Sequence, residues 1–138
     1  HYPLRRQRQM CIRDSRLAKE EWSQEKNFEV FGKCSNPNWH GHNYVLYVTV
    51  EGEVEEETGY VIDLSLLGKI VKEHVIQYVD HKNLNLDVPF FKGVMTSAEN
   101  IAIKFWEQLE KPVNATGGRL CSIKIQETEN NYVEYFGK

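Results

Sequence analysis

Two histidines and a cysteine between residues 32 and 44 have the residue types and spacing of a metal-dependent reaction centre. His40 and His42 lie two positions apart, so on an extended strand both imidazole rings point to one face. Two convergent neutral imidazoles form a good half-site for zinc. The turn-forming segment 36–38, Asn-Pro-Asn, folds Cys34 back toward the entrance of that strand. The stretch predicts a zinc site, although its spacing also fits a tight turn followed by a strand with two surface histidines.

The composition predicts one ordinary globular domain without a nucleic-acid or membrane partner. The chain has 138 residues, of which 41% are hydrophobic and 27% charged, and its formal net charge is -3. A negative net charge gives no sign of a positively charged surface that would bind nucleic acid, and no apolar run is long enough to span a membrane. Three cysteines without framework spacing indicate free thiols in a reducing compartment, which predicts a cytoplasmic location.

The first fifteen residues differ in character from the rest of the chain. Translation of a transposon-type sequencing-library adapter gives residues 1–14 without interruption, followed by the first two bases of the Ser15 codon. A segment translated from an adapter is not part of the natural protein and does not bear on its fold. We therefore expect a non-native segment over residues 1–15, a single domain over 16–138, and a missing first strand. Its loss should leave an unpaired sheet edge along 44–50, which residues 10–14 would pair only poorly.

Hydrophobic patterns in the remaining residues predict an α+β fold. Asp63 is a candidate helix N-cap, and the segment 96–99, Thr-Ser-Ala-Glu, has the capping-box pattern. The order of one strand, two helices and a hairpin favours an antiparallel sheet with the two helices packed on one face. Periodicity and turn signals predict a long loop with room for one helical turn over 16–30, strands over 44–50, 120–126 and 132–136, a hairpin turn at 129–131, and helices over 64–78 and from the capping box to about 109.

Three motifs in this order resemble the 6-pyruvoyltetrahydropterin synthase family. They are the segment 34–44, the segment 79–84 (Val-Asp-His-Lys-Asn-Leu) and the segment 127–131 (Glu-Thr-Glu-Asn-Asn). The resemblance covers residues 16–138 and implies the tunnelling fold. In that fold, subunits join their sheets into a barrel-forming trimer, two trimers stack into a homohexamer, and the active sites lie between subunits.

The resemblance also implies a substrate, a metal and a base. The substrate is 7,8-dihydroneopterin triphosphate, which loses triphosphate. Zinc is the implied cofactor, with His40 and His42 as two of three histidine ligands, and it polarises the hydroxyls of the substrate side chain. Cys34 matches the general base that acts on the side-chain carbon.

Three further residues receive roles from the same resemblance. Asp80 and His81 match a proton-relay pair in which the carboxylate orients the imidazole. Glu127 matches the carboxylate that anchors the pterin ring by accepting hydrogen bonds from its N–H groups.

The chain departs from the family pattern at one metal ligand. The third zinc histidine of the family stands just before an Arg-Leu pair, and here Ser15 precedes Arg16 and Leu17. We therefore expect this chain to hold two of the three zinc ligands and to be catalytically impaired.

Several functions stay open on the sequence. Five residues separate Cys34 from His40, which favours the pyruvoyl product, and the absence of a glutamate among them argues against a folate-bypass variant. The alternative enzyme is 6-carboxytetrahydropterin synthase of queuosine biosynthesis, which an environmental bacterial source, suggested by the adapter, would favour. A different class is a pterin-binding protein without catalysis. A zinc hydrolase is disfavoured, because no carboxylate adjoins the His-Gly-His pair as a water-activating base.

Overall fold

The computed structural model describes residues 2–15, 18–35 and 40–138. Within these ranges, side chains are described for Leu4 and Met10 in the first segment and for every later residue except Cys34 and His40. Asn36, Pro37, Asn38 and Trp39, which contain the predicted turn, lie outside the described residues.

The described strands form one antiparallel sheet in the order β1-β2-β3-β4. Met10 of the first strand lies opposite Tyr44 of the second, and Ser15 lies opposite His40 after a shift in register. The α+β class and the antiparallel sheet are therefore confirmed. The strands are β1 at Tyr2–Ser15, β2 at His40–Gly52, β3 at Arg119–Gln126 and β4 at Tyr132–Tyr135.

The position of the strand that was expected to be missing is filled by β1. Residues 2–15 pair with nearly the whole of β2, and Met10 is buried in the core. A bare edge of β2 offers a row of backbone N–H and C=O groups, which any extended chain can pair without a particular sequence. Alternation along β1 places the apolar side chain of Met10 on the core side. The expectation of an unpaired edge is therefore wrong.

A helix precedes the second strand where a long loop was predicted. Ser23 begins α1, because its Oγ accepts a hydrogen bond from the Lys26 N–H at 3.2 Å. The buried Asn27 side chain ties this helix to the preceding loop: its Oδ1 accepts from the Lys19 N–H at 2.8 Å, and its amide donates to the Lys19 carbonyl at 3.0 Å. The helix is only weakly amphipathic, so hydrophobic periodicity does not reveal it.

The two long helical segments begin where the sequence predicts. Asp63 Oδ1 accepts from the Ser65 N–H at 2.8 Å, and Ser97 rather than Thr96 caps the last helix by accepting from the Asn100 N–H at 3.2 Å. The last helix continues past residue 109 because Val113 is also buried. The helices are α1 at Gln24–Phe31, α2 at Leu64–Val71, a π-helical segment at Lys72–Ile76, α3 at Gln77–Val79, α4 at Leu84–Asp87 and α5 at Ala98–Asn114, with 3-10 turns at Gly32–Ser35 and Pro89–Phe91.

The core lies between one face of the sheet and the helices, as predicted. Phe105 of α5 is fully buried and meets the ring of Phe91 edge-on, with 6.1 Å between the ring centroids. The opposite face of the sheet carries polar groups such as Lys124, whose ammonium lies 4.3 Å from the ring centroid of Tyr132. The fully buried residues that line the core include Leu46, Val48, Val50, Leu67, Val75, Ile101, Leu109, Ile123 and Ile125.

Among the described residues, every helix is too short or too polar to cross a membrane.

Candidate active site

The hairpin between β3 and β4 brings Glu127 to His42 at the beginning of β2. Glu127 follows the last residue of β3, and its N–H donates to the Asn131 carbonyl at 2.9 Å, which closes the turn. Its Oε1 lies 2.8 Å from Nδ1 of His42. The imidazole is 15% exposed and the carboxylate 41% exposed, so the pair lies at the edge of the protein interior. The structure thus joins two predicted site residues that are far apart in the sequence.

The end of the first long helical segment presents Asp80 and His81 as a pair. The Asp80 N–H still donates to the Ile76 carbonyl at 2.9 Å, after which the backbone leaves the helix. His81 adopts a left-handed conformation with φ of 59°, which is uncommon outside glycine but enriched for histidine. This conformation places His81 Nδ1 3.2 Å from Asp80 Oδ1. The predicted pairing of carboxylate and imidazole is therefore present, at a backbone position where strain is characteristic of functional sites.

Three of the predicted site residues line one cavity. Asp80, His81 and Glu127 surround a volume of about 500 Å³, which lies within the range of small-molecule sites. The cavity is partly open to solvent, and His81 is 76% exposed at its rim. The other lining residues are Met10, Asn43, Tyr44 and Val45.

A larger cavity of about 790 Å³ lies elsewhere, between the segment 18–27 and the segment 85–95. Its described lining includes the indole of Trp22 and the amide of Asn27, and it contains neither histidine nor cysteine. The Asn27 amide is already engaged in holding the loop before α1. Because none of the predicted site residues lines this cavity, we place the candidate active site in the smaller one.

Two predicted site residues are located by their backbone alone. His40 begins β2 and lies opposite Ser15 of β1, and Cys34 lies in the 3-10 turn at Gly32–Ser35. The side chains of both lie outside the described set. Among the described side chains, His, Cys, Asp and Glu form no group of three or more that could hold a metal ion.

Sequence reasoning missed residues that share the site without carrying its chemistry. The ring of Tyr44 stacks on that of His42, with 5.2 Å between centroids and an angle of 30° between planes. The two-residue period of a strand could have revealed Tyr44, since it shares a face with His42. No sequence signal could have revealed Met10, because it belongs to the segment that was set aside.

The comparisons with known proteins assign the chain to one family. The model of the family described as "6-pyruvoyl tetrahydropterin synthase" matches residues 13–138. The chain belongs to this family. It is 46% identical over 123 residues to 6-pyruvoyl tetrahydrobiopterin synthase of Homo sapiens, with 89% of this chain and 83% of the relative covered. It is 42% identical over 131 residues to the enzyme of the same name from Dictyostelium discoideum, with 95% and 93% covered.

A solved structure agrees with this assignment. The structure of Caenorhabditis elegans 6-pyruvoyl tetrahydropterin synthase superimposes with a TM-score of 0.90 at 39% identity, covering 99% of this chain and 96% of that one. An uncharacterized protein from Wolinella succinogenes shares the fold at 17% identity, with a TM-score of 0.75. The predictions of the tunnelling fold and of an enzyme of this family are confirmed. The boundary between residues 1–15 and 16–138 stays a prediction.

Proposed function

We propose that this protein is a zinc-dependent lyase that converts 7,8-dihydroneopterin triphosphate to 6-pyruvoyl tetrahydropterin with loss of triphosphate. Family membership supports the enzyme class, and the relatives named as 6-pyruvoyl tetrahydrobiopterin synthases support the pyruvoyl product. The observation that carries the proposal is the cavity lined by Asp80, His81 and Glu127, with His42 bonded to Glu127. A cytoplasmic location stays a prediction from cysteine usage.

The donor set at the start of β2 fits zinc. His40 and His42 lie two positions apart on β2, and Nδ1 of His42 bonds a carboxylate, the arrangement typical of a metal-ligating histidine. We infer that His40 and His42 would hold the metal, with Ser15 opposite His40 as the weak third position. Bound zinc would supply Lewis-acid polarisation of the hydroxyls on the substrate side chain.

The remaining residues supply proton transfer and orientation. Glu127 accepts hydrogen bonds from the N–H groups of the pterin ring and fixes the ring in the cavity. The Cys34 thiolate takes the proton from the side-chain carbon. Asp80 holds Nδ1 of His81, so the opposite ring nitrogen, Nε2, exchanges protons with the substrate.

Incubation of the zinc-loaded Ser15→His protein with 7,8-dihydroneopterin triphosphate, followed by mass spectrometry of the products, tests the proposal. Release of triphosphate with a pyruvoyl-substituted tetrahydropterin supports it. A carboxy product with loss of a two-carbon fragment would assign the protein to 6-carboxytetrahydropterin synthase instead. If the zinc-loaded Ser15→His protein binds a pterin tightly without turning over the substrate, the protein is a pterin-binding protein without catalysis.

Glu127→Gln is expected to weaken pterin affinity. One carboxylate oxygen becomes an NH₂ donor that faces the ring N–H groups, and an unmatched polar contact of this kind costs about 1–3 kcal/mol. Binding of a dihydropterin, followed by fluorescence titration, measures the effect. Glu129→Gln, on the same turn, is the matched control and should bind as the unaltered chain does. Unchanged affinity in Glu127→Gln would remove Glu127 from the site.

We also propose that the working protein is a homohexamer with active sites at subunit contacts. The open rim of the cavity and the exposed His81 support a site that a neighbouring subunit completes. Exposed apolar side chains such as Phe28 on α1 and Leu86 on α4 support extensive subunit contact. Light scattering should give the mass of six chains. A stable monomer with full activity would contradict this proposal.

A further inference from the structure

We propose that Glu127 has a second role: it positions the ring of His42 and selects the tautomer in which Nδ1 carries the proton. This inference rests on the proposed function, since it makes one carboxylate serve both the pterin ring and a metal-holding histidine.

The geometry of the His42–Glu127 pair determines which ring nitrogen of His42 carries the proton. A neutral imidazole has one N–H donor and one acceptor nitrogen, and a carboxylate can only accept. The 2.8 Å contact between His42 Nδ1 and Glu127 Oε1 therefore requires the proton on Nδ1. In that tautomer the lone pair lies on Nε2, which makes Nε2 the nitrogen that can bind a metal.

Neighbouring groups hold both members of the pair in place. The Tyr44 ring stacks on the imidazole and limits its rotation, and His42 is mostly buried. Glu127 is fixed at its backbone by the hydrogen bond to Asn131 in the hairpin turn. The contact therefore belongs to a constrained arrangement and differs from a mobile surface ion pair.

A single carboxylate can serve both roles at once. Its two oxygens offer about four lone-pair positions, so Oε1 can accept from His42 while Oε2 accepts from a ring in the cavity. Glu127 lines that cavity and touches His42 at the same time. Metal affinity and pterin affinity should therefore be coupled through this residue, and the coupling is reciprocal for binding free energies.

Nitrogen-15 NMR of the metal-free chain tests the tautomer directly. The His42 signals are assigned by their loss in His42→Gln, at a pH where the spectra show a neutral ring. The unaltered chain should show a protonated Nδ1. Glu127→Gln should keep it, because the amide oxygen still accepts, whereas Glu127→Ala should shift the population toward protonated Nε2. Glu129→Ala is the control and should match the unaltered chain.

Zinc titration against a chelator gives the second readout. Loss of an outer-shell partner typically costs about 10–100-fold in metal affinity, which is expected for Glu127→Ala and largely rescued in Glu127→Gln. Pterin affinity should instead fall in both variants, which separates the two roles.

Two results would overturn the inference. The first is a protonated Nε2 in the unaltered chain, which needs no variant to be folded. The second is equal zinc affinity in Glu127→Ala and the unaltered chain. Failure of the proposed function would look different, since turnover would be absent even in a zinc-loaded Ser15→His chain while the tautomer still depended on Glu127.

Discussion

Cys34→Ala is expected to lower turnover by about a hundred-fold or more while zinc and pterin binding stay close to those of the parent protein. Loss of a general base typically costs about 10²–10⁴-fold in rate, because the proton on the reacting carbon then has no positioned acceptor. Alanine removes the thiol without adding bulk. The backbone of Cys34 lies in the 3-10 turn between α1 and β2, and β2 begins with His40. A general base acts in the transition state, so its loss should lower the reaction rate more than it weakens substrate binding.

The measurement compares turnover, zinc content and pterin affinity in matched proteins. The parent protein should carry Ser15→His, because the unaltered chain is expected to have too little activity for a hundred-fold loss to be measured. Cys121→Ala is the control, since Cys121 is a partly exposed free thiol on β3 away from the cavity. Parent rates in Cys34→Ala would refute the assigned role, and an equal loss in the control would point to a general structural effect.

The sequence predicted the elements whose signals are local. Asp63 caps its helix as expected, because an aspartate before an apolar periodic run specifies a helix start by itself. The hairpin after residue 126 closes at the predicted turn. Asp80 and His81 are adjacent in the chain, so their pairing needed no long-range information.

Features that depend on tertiary contacts could not be predicted from the sequence. The bond between His42 and Glu127 joins β2 to the turn after β3, and the resemblance assigned the two residues to different tasks. Helix α1 is held by the buried amide of Asn27, and a hydrogen bond of this kind leaves no periodic pattern. The filled edge of β2 arises from backbone pairing, which an extended segment can supply without a particular side-chain pattern.

Ser15→His is expected to convert weak zinc binding into stoichiometric binding and to raise turnover from near zero. A catalytic zinc site usually has three protein ligands, and the proposed function assigns two of them to His40 and His42. A neutral serine hydroxyl binds zinc far more weakly than an imidazole does. The gain in zinc affinity should exceed the roughly 10–100-fold effect of an outer-shell partner, because residue 15 would touch the metal itself.

The register of the sheet places the substitution directly opposite His40, one of the two proposed zinc ligands. Ser15 lies opposite His40 on the neighbouring strand, so the Cα atoms at these positions are direct partners. Side chains of directly opposed residues on one face lie about 4.5–5.5 Å apart at Cβ, close enough for two imidazoles to share a metal. The shift in register between Ile12 and Ser15 sets the backbone at this point.

Metal analysis after dialysis, with turnover measured on the same samples, decides the outcome. Ser65→His is the matched control, because it adds an exposed histidine on α2 outside the lining of the cavity. One zinc per chain and turnover are expected only with histidine at position 15. Stoichiometric zinc and rapid turnover in the unaltered chain would show that Ser15 is not a defect. A Ser15→His chain that still loses its zinc would show instead that β1 does not hold residue 15 where the third ligand is needed.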